Sequence, residues 1–459
     1  MICSWRQPYM ANLNENDGTV NLETKGDTAA RIRLLYSAAI ALALVWLFIA
    51  LIHHIFHRSF HVALPYPWAR PLVRLAYFWA WLELLLLTYK TWLWFRYHPV
   101  PVSGACAALP MTVVIPAYNE GPMVAKSIAS VVGTRYPSER LEIIVVDDGS
   151  RDDTWEHIAS AAGEHPRLVT AVRFPENRGK RAALQEGFKR ARGEIVATID
   201  SDSVIDADTL AAMAAPFRDP RVGAVAGKVV VHNLDQGLIP RMLQVAYILS
   251  FDFMRAAQSQ YRTVYCCPGA LAAYRVSVVR RVLDQWARQT FLGAACTYGE
   301  DRALTNYILE QGYDTVYQGN AIVHTVVPTR YAKLCKMFLR WDRSFVREEI
   351  RLAGIVWRRP AGARAVTLID KIITNLSYPL RYAVGLFVML LVLHHPGVIP
   401  MLLLGVGVSA LLPALYYLRS EPSWNWISTI PFSYYSMFAL WWIMPYAAVT
   451  VRARSWLTR

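Results

Sequence analysis

The sequence predicts an α/β domain with a mostly parallel sheet, flanked by transmembrane helices in an integral membrane protein. Three observations carry that expectation. Short apolar runs alternate with amphipathic helical stretches between residues 111 and about 330, the pattern of a parallel sheet covered by helices on both faces. Long runs with almost no charge lie on either side of that region. Composition is shifted as well: 54% of residues are hydrophobic and 18% charged, with mean hydropathy +0.23, where a soluble domain has roughly 45–50% and about 25%. The net charge of +14 fits a large cytoplasmic face, because Lys and Arg accumulate on that side of a membrane. Nucleic acid is the rival reason for a basic chain, but no nucleic-acid-binding motif accompanies the charge. The six cysteines (Cys3, Cys106, Cys266, Cys267, Cys296, Cys335) form no CxxC pair and share no metal-type spacing with histidine, so reduced thiols are expected.

The elements follow in order. Residues 1–33 are mostly polar and read as a cytoplasmic tail, which places the first hydrophobic run too late for an ordinary signal peptide. Residues 34–95 hold two apolar runs, 34–53 without any charge and 72–95 with Glu83 near its middle, each long enough for a bilayer crossing. A cytosolic domain then spans 96–330. "MTVVIPAYN", "LEIIVVDDGS", "LVTAVRF" and "EIVATIDSDS" read as strands, each followed by a helical pattern. Residues 331–370 read as interfacial amphipathic helices. Leu334, Met337, Phe338, Trp341 and Phe345 recur at helical spacing on one face, and Lys336, Arg340, Arg343 and Arg347 form a basic stripe. From 371 to 459 three more apolar runs follow, at 372–393, 397–418 and 426–451. Glu83 and Arg381, ionisable at apparent membrane depth, are expected to pair with each other or to meet a translocating glycan.

Acidic residues collect after the strands: Asp147–Asp148, Asp200, Asp202 and Glu300–Asp301. In sheets of this kind ligands bind at the carboxyl ends of the strands, although any one such Asp can equally be a helix cap or a turn former. Asp200 and Asp202, at alternate positions of an extended segment, are expected to point the same way. Two adjacent carboxylates are costly without a cation, and Mg²⁺ or Mn²⁺ shared with a substrate diphosphate is the usual solution. Gly179 and Lys180 open a helix whose N-terminus favours phosphate, though Lys180 and Arg181 are equally compatible with solvation.

Taken together, "VVIPAYNE", "VVDDGS", "NRGKRAAL", "DSDS", "CCPGALAAYR", "GEDRALTNYIL" and "RWDRSFVRE" occur in an order that resembles processive glycosyltransferases of family 2. The resemblance covers roughly residues 110–350 and lies in the branch of hyaluronan synthases and nodulation-type chitooligosaccharide synthases, nearer the latter. It implies a GT-A-type nucleotide-sugar-binding domain in which Tyr118, Glu120 and Asp148 surround the uridine. It further implies that Lys180 meets the nucleotide-sugar, Asp200 the nucleotide and Asp202 the metal, with Asp301 as general base. Cys267 and Gly269 of "CCPG" would line the acceptor pocket, Arg340 would hold the diphosphate, and Trp341 would stack on the acceptor sugar. Trp456 and Arg459 of the terminal "WLTR" resemble a gating element. That element has to face the cytoplasm to meet UDP, so one of the three C-terminal apolar runs is expected to lie at the interface instead of crossing.

The implied activity is a multi-pass enzyme of the cell membrane that transfers a sugar, expected to be N-acetylglucosamine, from a UDP-sugar to a growing glycan with inversion. UDP-sugar, a glycan or lipid acceptor and membrane lipids are the implied partners; no nucleic acid is expected, and nothing in the sequence sets the oligomeric state. Two departures stand against the family pattern. Met337 replaces the usual Gln three residues before Arg340, and Leu457 replaces the usual Gly. Because a thioether cannot donate the hydrogen bonds of an amide, and a bulkier residue than Gly can stiffen a moving loop, Met337 and Leu457 favour an alternative that adds one sugar to a lipid or short acceptor, and Met337→Gln would be expected to lengthen product. A silent scaffold or export channel is a third reading, opposed by the complete acidic set.

Overall fold

The computed structural model describes residues 67, 69–102 and 108–453. The tail at 1–33, the first apolar run at 34–53, Cys3, Cys106, Leu457, and the gating candidates Trp456 and Arg459 lie outside the described residues. The chain enters through helix α1 (Ala69–Phe95) and then forms β1 (Met111–Ala117), α2 (Met123–Val132), β2 (Leu141–Asp147), α3 (Thr154–Glu164), β3 (Val169–Arg173), α4 (Lys180–Arg190) and β4 (Ile195–Ile199). All seven residues of β1 and all five of β4 are buried, as expected of central strands covered on both faces. After β4 come β5 (Ser203–Ile205), α5 (Thr209–Ala214), β6 (Val222–Val231), α6 (Leu238–Tyr247), a π-helical stretch (Ile248–Arg255), α7 (Ala256–Gln260) and β7 (Leu271–Arg275). α8 (Val276–Ala287), the short hairpin β8 (Thr290–Phe291) and β9 (Ala294–Ala295), α9 (Glu300–Glu310) and β10 (Asp314–Thr325) complete the domain.

The eight-stranded sheet runs β3-β2-β1-β4-β7-β6-β10-β5. β1, β2, β3 and β4 pair in parallel, as does β10 with β6, but β7 is antiparallel to both β4 and β6, and β5 is antiparallel to β10. The sheet is therefore mixed. The reversal has a cause in the connection: the segment from α6 to Pro268 returns the chain to the end where β4 finishes, so Leu271 pairs with Ile199. That pairing places the "CCPG" turn beside Asp200.

Among the described residues, three helical segments are long and apolar enough to cross a bilayer: Ala69–Phe95, Ala361–His394 and Pro396–Ser420. Apolar side chains such as Leu85 and Leu393 are exposed along them. α10 (Tyr331–Ile355) precedes α11 (Ala361–His394), and Pro379 lies within the uninterrupted run of α11. α11 is tied to α1 by the buried Lys90–Asp370 pair, and Arg381 Nη2 lies 2.9 Å from Glu83 Oε1, the mutual pairing expected of these two. α12 (Ile399–Ser409) and α13 (Leu411–Ser420) lead back to the domain, where Gln244 donates to Glu421 at 2.8 Å. The third apolar run breaks into α14 (Thr429–Phe438) and α15 (Ile443–Val449), each too short to span a bilayer at 1.5 Å per residue. α15 packs Ile443 and Ala447 against Cys335 and Leu339 of α10. Arg343 donates to Thr450 Oγ1, and the Tyr298 hydroxyl donates to the Ala453 carbonyl at 2.7 Å. The described chain thus ends on the domain's side.

This packing also splits the basic stripe of α10. Lys336 stays exposed, but Arg343 and Arg347 are 4% and 3% exposed, Arg347 bonding Glu348 at 3.0 Å and the Tyr298 carbonyl at 2.7 Å.

Candidate active site

At the carboxyl end of β1 the chain turns through Tyr118, Asn119 (φ +53°) and Glu120. Thr154 Oγ1 accepts the backbone N–H groups of Glu120 and Gly121, both at 2.8 Å, and Ser201 donates to Glu120 Oε1 at 3.1 Å. After β2, Asp148 is 2% exposed. Its carboxylate accepts from Arg178 N–H (2.7 Å), Gly179 N–H (2.8 Å) and Asn177 Nδ2 (2.9 Å). Burial raises its pKa against the lowering effect of those two N–H groups. Both oxygens accept from the turn that launches α4, so Asp148 also fixes the start of the helix that carries Lys180.

Lys180 is ion-paired with Asp200 and lies 3.4 Å from Glu300 Oε1. Burial alone would lower its pKa, but the carboxylates of Asp200 and Glu300 outweigh burial and raise it. Gly269 leaves the room: a Cβ there would stand 3.0 Å from Lys180 Nζ and 3.8 Å from oxygens of both acids. Asp301 Oδ2 accepts Gly269 N–H at 3.1 Å, and its Oδ1 accepts Arg302 N–H at 2.7 Å. Glu300 and Asp301 titrate apart. Burial and the neighbouring Glu300 charge raise Asp301; for Glu300, burial is outweighed by Lys180 and further donors, which lower it. Adjacent carboxyls separated in this way are the pattern of divided acid–base roles.

Asp200 and Asp202 do not stand on an extended segment. They occupy a turn closed by Ser203 N–H to the Asp200 carbonyl at 3.1 Å, and their partners differ: Asp202 Oδ1 accepts from Ser203 Oγ (3.1 Å) and Thr325 Oγ1 (3.5 Å). Both charges, with that of Arg340, nevertheless reach one side chain, Tyr247, whose hydroxyl is pushed up first by burial and then by Asp202. The Tyr247 ring lies 6.4 Å from that of Trp341, which is 40% exposed. Tyr247 itself is buried in the core beneath Trp341.

Of the expected acceptor residues, Cys267 lies away from the acid cluster. Cys267 is fully buried in the main core, and the thiol facing Asp301 is that of Cys266, at 3.7 Å from Oδ2. On a chain that is folding back antiparallel, the first Cys of the pair takes the site and the second the core. Met337 is 6% exposed and packs in the same core, so it does not grip an acceptor. A buried amide at this position would lack partners, at a cost of about 1–3 kcal/mol. Met337→Gln is therefore expected to lower the thermal midpoint and leave product length unchanged, measured by thermal unfolding and by product sizing side by side.

The family model for glycosyl transferase family 2 matches residues 112–283. An N-acetylglucosaminyltransferase of Neorhizobium galegae is 31% identical over 363 residues, 77% of this chain and 81% of the relative. This chain belongs to glycosyl transferase family 2. Other family members named N-acetylglucosaminyltransferase include those of Rhizobium meliloti, 37% identical over 259 residues (54% of this chain, 60% of the relative), and Azorhizobium caulinodans, 36% identical over 246 residues (52% and 62%). The match spans about three fifths of those two relatives. The family domain also shares its fold with a solved mannosyltransferase of Pyrobaculum calidifontis in complex with GDP-Man and Mn²⁺, at 21% identity and TM-score 0.55, over 78% of this chain and 98% of the other.

Proposed function

We propose that this family 2 protein is a membrane-embedded, inverting β-glycosyltransferase that moves N-acetylglucosamine from its UDP-sugar onto a growing glycan. The carrying observation is Asp301, a half-buried carboxylate of raised proton affinity fixed by Gly269 N–H, in the cluster that also holds Lys180, Asp200 and Glu300. Such a group takes the proton of an acceptor hydroxyl as its oxygen bonds the anomeric carbon and the bond to the diphosphate breaks. One displacement inverts the centre, so an α-linked donor yields a β-linked product. Arg340 holds phosphate oxygens through its planar fork, which a Lys cannot do, and exposed Trp341 offers an aromatic face to the acceptor sugar. Tyr118 and Glu120 border the nucleoside from the end of β1.

The donor set fits a divalent ion that completes its shell with substrate. Among the described residues no group of three or more His, Cys, Asp or Glu converges to hold a metal, while Asp200 and Asp202 stand two residues apart in one turn. One or two carboxylates plus a diphosphate is the ordinary Mg²⁺ arrangement, with Asp202 as the protein's ligand. When bound, Mg²⁺ or Mn²⁺ supplies neutralisation of charge on the departing UDP. The Mn²⁺ of the mannosyltransferase that shares the fold supports this reading, and the names of the relatives support N-acetylglucosamine as the sugar. In a cell membrane, α1, α11 and the α12–α13 pair would cross, with the domain and α14–α15 on the cytoplasmic side. With Met337 in the core, the single-sugar alternative rests on Leu457, which lies outside the described residues.

The test is purified protein in lipid with Mn²⁺ and a panel of UDP-sugars, read by UDP release and product length. Release is expected with UDP-N-acetylglucosamine, lost on chelation and restored by Mn²⁺. Adducts of one sugar would replace the polymer reading with the single-sugar one, and no release with any UDP-sugar would leave the scaffold.

A further inference from the structure

A cavity of about 500 Å³ shares no residue with the acid cluster. Its walls include Trp94, Tyr97, Lys228, Asp252, Tyr317 and Arg419. It sits where α1 and α13 end, and both of these apolar segments end against the domain. If they cross a bilayer, that is the level of the headgroups. Trp92, Trp94, Phe95 and Tyr97 are the aromatic residues that collect at such a level.

The polar groups of the cavity are unequally satisfied. Lys228 Nζ lies 2.9 Å from Asp252 Oδ2, and Tyr317 donates to Asp252 Oδ1 at 2.9 Å, so that carboxylate is compensated. Tyr97 donates to the Tyr317 carbonyl and accepts Gly319 N–H, both at 2.9 Å. Arg419 is different. Its guanidinium lies over Phe95 (3.8 Å to the ring centre) and Trp94 (4.7 Å), and among the described residues no carboxylate pairs with it. A guanidinium held against aromatic faces keeps its N–H edge free for a planar or tetrahedral oxyanion. Arg96, stacked on Trp92 at 4.8 Å, adds positive charge along the same helix end.

We infer that this cavity binds the phosphate of an anionic lipid headgroup, with Arg419 as its ligand. A lipid phosphate and a soluble phosphate ester present the same chemistry, and the experiment separates them. The full chain is reconstituted with phosphatidylcholine and graded phosphatidylglycerol, and retained lipid is counted by native mass spectrometry; parallel samples in detergent receive glycerol phosphate or inorganic phosphate. Wild type is expected to retain one phosphatidylglycerol in preference to phosphatidylcholine. Arg419→Gln should weaken that retention about tenfold, the order expected for one lost charged contact, and Arg419→Lys should recover part of it. Equal retention by wild type and Arg419→Gln overturns the site, and saturable binding of glycerol phosphate without lipid retention overturns the lipid as its source. Lys228→Met probes the same cavity from the sheet side, so misfolding of one variant does not decide the outcome. The readout is binding, and a failed transferase assay leaves it standing.

Discussion

Asp301→Asn is expected to lower sugar transfer about 10²–10⁴-fold while UDP binding stays close to wild type, because general-base catalysis contributes on that order. The assignment rests on position: Asp301 is held between Gly269 N–H and Arg302 N–H at the start of α9, with Cys266 and the Lys180 cluster as neighbours. Asn keeps the shape and removes the proton acceptor. The pH dependence follows from the direction of the shift. Burial first, then the Glu300 charge, raises Asp301 above the usual carboxylate range, and the base works only when ionised. The acid limb of kcat/KM should therefore lie above the ordinary value of about 4, with activity falling as pH drops through the raised pKa. For stability the sign is opposite. The folded state binds this proton more tightly than the unfolded chain, so Asp301 costs stability as pH rises from the unfolded value through the folded one. Asn removes that cost, and the variant is expected to hold its thermal midpoint at neutral pH. Retention of most activity by Asp301→Asn, measured as UDP release beside a UDP-binding control, would remove Asp301 from the role.

Gly299→Ala should damage both stability and turnover. Gly299 caps α9 with φ +73° and ψ +34°, a left-handed backbone that costs an L-residue about 1–2 kcal/mol. Space is the larger problem. A Cβ would stand 2.0 Å from Ser344 Oγ, 2.6 Å from Ser344 Cβ and 2.8 Å from Arg347 Nη2, and overpacking of this kind costs about 1–3 kcal/mol more. Relief requires α9 to move away from α10, carrying Glu300 and Asp301 with it, and a misplacement of about 1 Å can cost 10²-fold in rate. Ser344→Gly in the Ala background deletes the nearest obstacle and should recover part of the activity, although the strained φ remains. If Gly299→Ala unfolds at the wild-type temperature with wild-type turnover, the close approach of α9 to α10 is wrong.

Local pattern alone carried the strand–helix alternation from β1 to β4, the burial of β1 and β4, and the apolar length of α1, α11 and α12–α13. It also singled out the acids after the strands, because a carboxylate at a strand end is a local feature. Facing directions were not local. Asp148 bonded the turn that follows β3, Cys267 and Met337 went to the core, and Arg343 and Arg347 were buried beneath the chain that follows α14. Asp148 was placed when β3 paired with β2, the cysteine pair when β7 paired antiparallel with β4, and Arg343 when α15 packed on α10. Periodicity specifies which residues share a face of an element, and only the long-range pairing of elements specifies what that face meets.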